Sequence, residues 1–245
     1  MWSRLSLIGI TLLGCAFVVS ASPAHAAQTR PVVVELFTSQ GCSSCPPADA
    51  YLNELARSRD DVLTLAFHVT YWNDLGWKDP FSLEASTQRQ RRFSQRFGAG
   101  PYTPMIVVDG ESYMVGSNRG QVASAITKAK KDIVTAAPIG ITREGSTLSI
   151  SVGAGEGQGE VLLVGFDREH TTKVGRGENG GRALTESSAV RSIRSVGKWS
   201  GSALTISEQA PDGENVAVLL QSSNGHIVGA ARLDGKSAPM NAGLN

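Results

Sequence analysis

Cysteine is scarce in this chain, with three in 245 residues. Cys15 sits in an N-terminal leader, which leaves Cys42 and Cys45 alone in a C-x-x-C. A disulfide between cysteines this close closes a short loop and constrains the unfolded chain little, so it is a weak staple, and chemistry is the better reason to have it. Zinc would require two further cysteine or histidine ligands at close spacing, and no second pair exists. An excess of one charge is also lacking. Loss of the leader removes Arg4 and no acid, so 23 basic residues become 22 against 22 acidic ones, which argues against nucleic acid as a partner. Beyond the leader no apolar run is long enough to span a bilayer. Internal repeats are absent, and the low-complexity patches Gly153–Gly159 and Gly175–Gly181 read as surface loops.

The leader itself is informative. Arg4, the apolar stretch Leu5–Val19 and the small-x-small site Ala24-His25-Ala26 read as a secretory signal over residues 1–26. The expected location is periplasmic or secreted, where two neighbouring cysteines readily exist as a disulfide. Leu12-Leu13-Gly14-Cys15 resembles a lipobox, and lipoprotein anchoring through Cys15 is the less favoured alternative.

From Pro31 the chain alternates strands and helices. Val32–Phe37 reads as a strand buried on both faces. Pro46-Pro47 opens a helix to about Ser58. Val62–Val69 reads as a strand, Leu83–Phe97 as a helix, Met105–Asp109 and Ser112–Val115 as paired strands, and Arg119–Ile133 as a closing helix. The order β-α-β-α-β-β-α is that of a thioredoxin-like fold, with the dithiol at the carboxyl end of its first strand, where open α/β sheets place their sites. Beyond Pro138 the texture becomes β-rich, with strands expected at Leu148–Val152, Glu160–Phe166, Ala203–Ser207, Val216–Gln221 and His226–Leu233. The fold class is α/β, with a thioredoxin-like domain over 27–137 and a β-rich small sandwich or extension over 138–245.

The spacing of the dithiol suits disulfide exchange. A thiolate attacks through a mixed disulfide, and a second thiol two residues on resolves it. A helix N-terminus lowers the thiol pKa, so Cys42 is the expected nucleophile and Cys45, less exposed, the resolving thiol. Thr103-Pro104 lies just before the third strand, where this fold holds a cis-proline beside the disulfide. Glu35, an acid in an apolar strand seven residues before Cys42, is either a proton relay for Cys45 or an acid paired with a cation. His68 ends the second strand as a structural histidine or, alternatively, a metal ligand. Aromatics are 6% of the chain, yet Tyr71, Trp72, Trp77 and Phe81 crowd one loop, as a substrate rim or a satellite core. Arg89, Arg92 and Arg96 read as a solvated helix face opposite Phe93 and Phe97.

The segments VVVELFTSQGCSSCPPAD, LAFHVTYWNDLGWKDPF, QRQ and PYTPMIVVDG resemble the bacterial family called domain of unknown function 1223, strongly over Pro31–Lys131. GRGENGGRALT is similar to that family's C-terminal part. The resemblance implies a thioredoxin-like fold and export, and it assigns no substrate. By similarity to thioredoxins at large, Cys42, Cys45 and Pro104 match the paired thiols and the cis-proline. Gly41 departs from the tryptophan that commonly precedes the first thiol, and Pro46-Pro47 from the basic residue after the second. The function expected is a thiol-disulfide oxidoreductase acting on a protein or small thiol, served by a redox partner protein and needing no cofactor. Catalysis falls to Cys42, Cys45, Pro104 and Glu35, and substrate contact to Thr103, Trp72 and Trp77. The alternatives are a copper module using Cys42, Cys45 and His68, or a binding protein with a fixed disulfide.

Overall fold

Strand β1 (Val32–Thr38) is buried at every position, and the two faces of its pleat explain the architecture. Val32, Val34 and Leu36 point to one side, against Ala48, Leu52 and Leu55 of α1 (Pro46–Ser58) and Val122 and Ile126 of α3 (Arg119–Lys131). Val33 and Phe37 point to the other side. A strand covered on both faces has no solvated side, hence its run of valine, leucine and phenylalanine. The computed structural model describes residues 30–132 and 137–235. The leader with Cys15 lies outside them.

Sheet order in the first half is β2-β1-β3-β4, with β2 at Val62–His68, β3 at Met105–Val108 and β4 at Ser112–Val115. β1 and β2 run parallel in the register Thr38↔His68, and β3 is antiparallel to β1. In α1, Pro46 and Pro47 occupy the first turn, where the missing N–H groups would have no intrahelical partner. The second helix, α2 (Glu84–Phe97), stops at Gly98, whose φ of 65° is the left-handed conformation that glycine adopts without a Cβ clash.

Nine further strands follow among the described residues. A sheet of order β10-β7-β12-β13 is formed by Val190–Trp199, Gly159–Phe166, Asn215–Ser222 and Ile227–Leu233, and a second, β11-β6-β5, by Leu204–Gln209, Thr147–Val152 and Ile139–Glu144. A hairpin of β8 (Glu169–Lys173) and β9 (Ala183–Ser187) completes the set. The two larger sheets enclose Leu148, Ile150, Val161, Leu163, Val218 and Leu220. The other face of β7 and β12 places Leu162, Val164, Ala217 and Leu219 in one cluster with Val33, Phe37, Phe67 and Met105. The layers therefore run helix pair, mixed sheet, antiparallel sheet, antiparallel sheet, with α2 sharing the second interface. No helix among the described residues is long and apolar enough to cross a membrane.

One sequence expectation fails here. Arg89 is 2% exposed and forms an ion pair with the fully buried Glu35. Its Nη2 donates to Glu35 Oε1 at 2.9 Å and its Nη1 to Gln221 Oε1 at 3.1 Å. Four residues before Phe93, it lies on the packed face of α2, and the β-rich region that covers this face is distant in sequence. Glu35 thus has the cationic partner that was one of its two readings. Breaking such a pair leaves an uncompensated buried charge, at a cost of about 3–5 kcal/mol.

Candidate functional site around the Cys42–Cys45 disulfide

Cys42 and Cys45 are joined as a disulfide with Cα atoms 5.4 Å apart. Cys45 is the residue on which α1 begins, and its carbonyl accepts from the amides of Ala48 and Asp49. The Thr103–Pro104 bond is cis. Pro104 abuts the neighbourhood of α1, since a Cβ built on Gly116 would stand 3.0 Å from Ala48 Cβ and 3.3 Å from Pro104 Cβ. Trp72 bridges the two halves of the site. Its indole N–H donates to Thr103 Oγ1 at 2.9 Å, and its Cβ lies 3.2 Å from where a side chain at Gly41 would begin. Glycine before the first thiol is thus matched to a tryptophan supplied by the following loop.

The sequence leads one to expect an exposed Cys42 beside a shielded Cys45, but both are fully buried. The cause is the glycine-rich segment read above as a surface loop. Asn179, itself fully buried, donates from Nδ2 to the carbonyls of Gln40 at 3.0 Å and Cys42 at 2.9 Å, and its Oδ1 accepts from Arg182. Next to it, Glu178 accepts from the Ser43 amide at 3.0 Å. Gly177, with a φ of 75°, brings its backbone against Trp77, whose Cβ would stand 3.2 Å from a side chain there. Residues 175–182 are therefore strapped across the dithiol loop.

Beneath the disulfide lies a cluster of ionisable groups. His68 Nδ1 is 2.7 Å from Asp79 Oδ2, which also accepts from the Gln40 amide at 2.8 Å. The Gln40 side chain donates to Glu186 at 2.6 Å and accepts from the Trp77 indole at 3.1 Å. Asp49, one helical turn after Cys45, accepts from the Thr38 hydroxyl at 2.7 Å. His68 Nε2 and Glu186 Oε1 have no partner among the described residues.

The electrostatics follow from burial. Asp49 is pushed up to about 8, first by loss of solvent and then by the Glu186 charge, against the opposing Thr38 hydrogen bond. Glu186 is raised mainly by burial. Burial alone would lower His68, but Asp79 and Glu186 outweigh it and hold the imidazole at about 9. Asp79 is held low because its cationic partner and its hydrogen bonds outweigh its own burial. At neutral pH the arrangement is an imidazolium paired with Asp79 beside a protonated Asp49.

Among the described residues no group of three or more histidine, cysteine or acidic side chains is arranged to hold a metal ion. Cys42, Cys45 and His68 are not such a set, and His68 directs Nδ1 to Asp79. Phe81 is buried between the rings of His68 and His170, with centroids 5.5 and 4.9 Å away, while Tyr71 and Leu75 are exposed. The crowded loop thus divides into a core residue and a rim. Gln40, Asp49, Asp79, Asn179 and Glu186 were not singled out by sequence. Asp49 alone carried a local signal, its helical spacing from Cys45.

Fold and site together define a mixed α/β protein with a buried C-x-x-C disulfide at the head of a helix. The chain belongs to the family described as protein of unknown function (DUF1223), whose model matches residues 33–221. A crystal structure of a protein from Agrobacterium tumefaciens is 33% identical, with 86% of this chain and 98% of that one covered and a TM-score of 0.76. HBP35 of Porphyromonas gingivalis is similar in fold alone, with 16% identity, 89% and 79% of the two chains covered and a TM-score of 0.55. None of the curated proteins matches the chain.

Proposed function

We propose that this is an exported thiol-disulfide oxidoreductase built on a thioredoxin-like domain. The observation that carries the reading is a disulfide at the head of α1 and the carboxyl end of β1, with the cis Thr103–Pro104 bond close to α1. In the reducing direction the Cys42 thiolate attacks a substrate disulfide, forming a mixed disulfide and expelling one substrate thiolate. Cys45 then attacks the Cys42 sulfur, releases the second thiolate and restores the Cys42–Cys45 bond. Electrons flow from the dithiol to the substrate, and the reverse sequence oxidises a substrate dithiol.

The Cys45 thiol must lose its proton before it attacks. Asp49 lies one turn further along α1, and at about 8 its carboxyl is close to the ordinary thiol range, so that proton is exchanged at little cost. This supports Asp49 over Glu35 as the relay, because the Glu35 charge is held by Arg89. Trp72, Thr103 and Trp77 form the substrate rim, with Tyr71 and Leu75 exposed beside them.

Equilibration of the protein with glutathione buffers, followed by trapping of free thiols, tests the reading. A potential within the range of known oxidoreductases is expected. A value below about −300 mV would identify an inert structural disulfide and overturn the assignment.

A further inference from the structure

A cleft of about 1050 Å³ opens between the C-terminal half of α2 and the ends of β7, β10 and β12. It lies toward the end of β1 remote from the dithiol, because Arg96 on its rim reaches the carbonyl of Gly110, next to the Asp109 amide that donates to Val33. Its volume is that of a site for a small organic molecule. Phe93 and Trp199 contribute to its wall, and Arg89, Arg92, Arg96 and Lys198 converge on it.

One of these four charges is already paired. Arg89 is paired with Glu35, and Lys198 stands directly across from Glu160 on the neighbouring strand. Neither Arg92 nor Arg96 forms a salt bridge among the described residues, although Glu160 and Glu35 attract Arg92, and Glu111 and Glu35 attract Arg96. Arg96 donates only to the neutral carbonyls of Gly110 and Asn224, and both guanidiniums are pulled below their ordinary range, first by burial and for Arg92 also by Arg89. The cleft lining therefore sets four cationic side chains against the single acid Glu160, beside an apolar wall.

We propose that this cleft binds an amphipathic organic anion, its carboxylate or sulfonate between Arg92 and Arg96 and its apolar body against the wall of Phe93 and Trp199. The inference is independent of the dithiol chemistry. The probe is 1-anilinonaphthalene-8-sulfonate, titrated into the purified protein and followed by its fluorescence. One saturable site per chain is expected, weakened about tenfold in Arg92→Gln and less in Arg92→Lys. Dodecanoate should displace the dye and dodecylamine should not. Arg92 is not part of the apolar core, so Arg92→Gln tests binding without threatening the fold. Three results would each overturn the proposal: no saturable binding, equal affinity in Arg92→Gln, or equal displacement by the amine. The second is also what a dye bound at the exposed Tyr71 and Leu75 would give.

Discussion

Asp49 and His68 tie the stability of the protein to pH in one direction. The folded chain holds the Asp49 proton up to about pH 8, whereas the unfolded chain releases it near the ordinary value of 3.8, so this group favours the fold at low pH and ceases to do so as pH rises through that window. His68, raised from 6.5 to about 9, contributes stability that is complete below 6.5 and lost as pH rises through 9. The Asp49 loss runs from about pH 3.8 to 8 and the His68 loss from about 6.5 to 9, so the two overlap between pH 6.5 and 8, each with a slope of at most about 1.4 kcal/mol per pH unit. The melting temperature of the oxidised protein should therefore fall over that interval. Asp49→Asn, near-isosteric with the protonated acid, should melt close to wild type near pH 3.8 and increasingly above it as pH rises to 8. Calorimetry at four pH values checks this, and a flat or rising wild-type curve would remove the buried-proton account. At this scale the cysteine pair and Pro104 were legible, because their rules depend on short spacings. Glu35 was legible only as a choice, since its partner Arg89 is 54 positions away.

The element that matters most for the site is the strap over residues 175–182. Disulfide exchange needs in-line access to a sulfur, and Cys42 has none while Asn179 binds its carbonyl. Two hydrogen bonds from one buried amide hold the strap, together contributing about 1–3 kcal/mol. In Asn179→Ala the strap should open more often, and alkylation of Cys42 in the reduced protein should accelerate about tenfold with the fold retained. An unchanged rate would show that something other than the strap covers the thiol. Element by element, the first seven segments were readable because each is long and strongly apolar or strongly periodic. The strands that were missed lack those signals. β8 is the polar EHTTK with alternating half-buried positions, and β10 carries two register shifts that break its alternation. β9, next to the strap, was concealed by the glycines before it, and with it Glu186.

For the molecule as a whole, the mixed sheet has one face that the β-rich region covers together with α2. Val33, Phe37, Leu65, Phe67, Met105 and Val107 pack there against Leu162, Val164, Phe166, Ala217 and Leu219. The β-rich region also supplies Asn179 and Glu186 to the site, the Gln221 partner of Arg89, and Ser188, whose carbonyl accepts from Ala66 on the edge strand β2. Six large apolar side chains released into water would forfeit roughly 1.5–3 kcal/mol each, a sum comparable to the whole net stability of a typical domain. A fragment comprising residues 27–137 is therefore expected to lack cooperative unfolding and dispersed amide resonances, and to expose apolar surface that aggregates. Expression of that fragment beside the intact chain, with thermal melts and a heteronuclear spectrum of each, decides the matter. A fragment that melts cooperatively would show that α1, α2, α3 and the first four strands suffice for a core, and that the sandwich was added to a domain already stable. Failure to fold, with the intact chain stable, would mean that site and sandwich form one folding unit, in which loss of the β-rich region removes the dithiol's surroundings along with its cover.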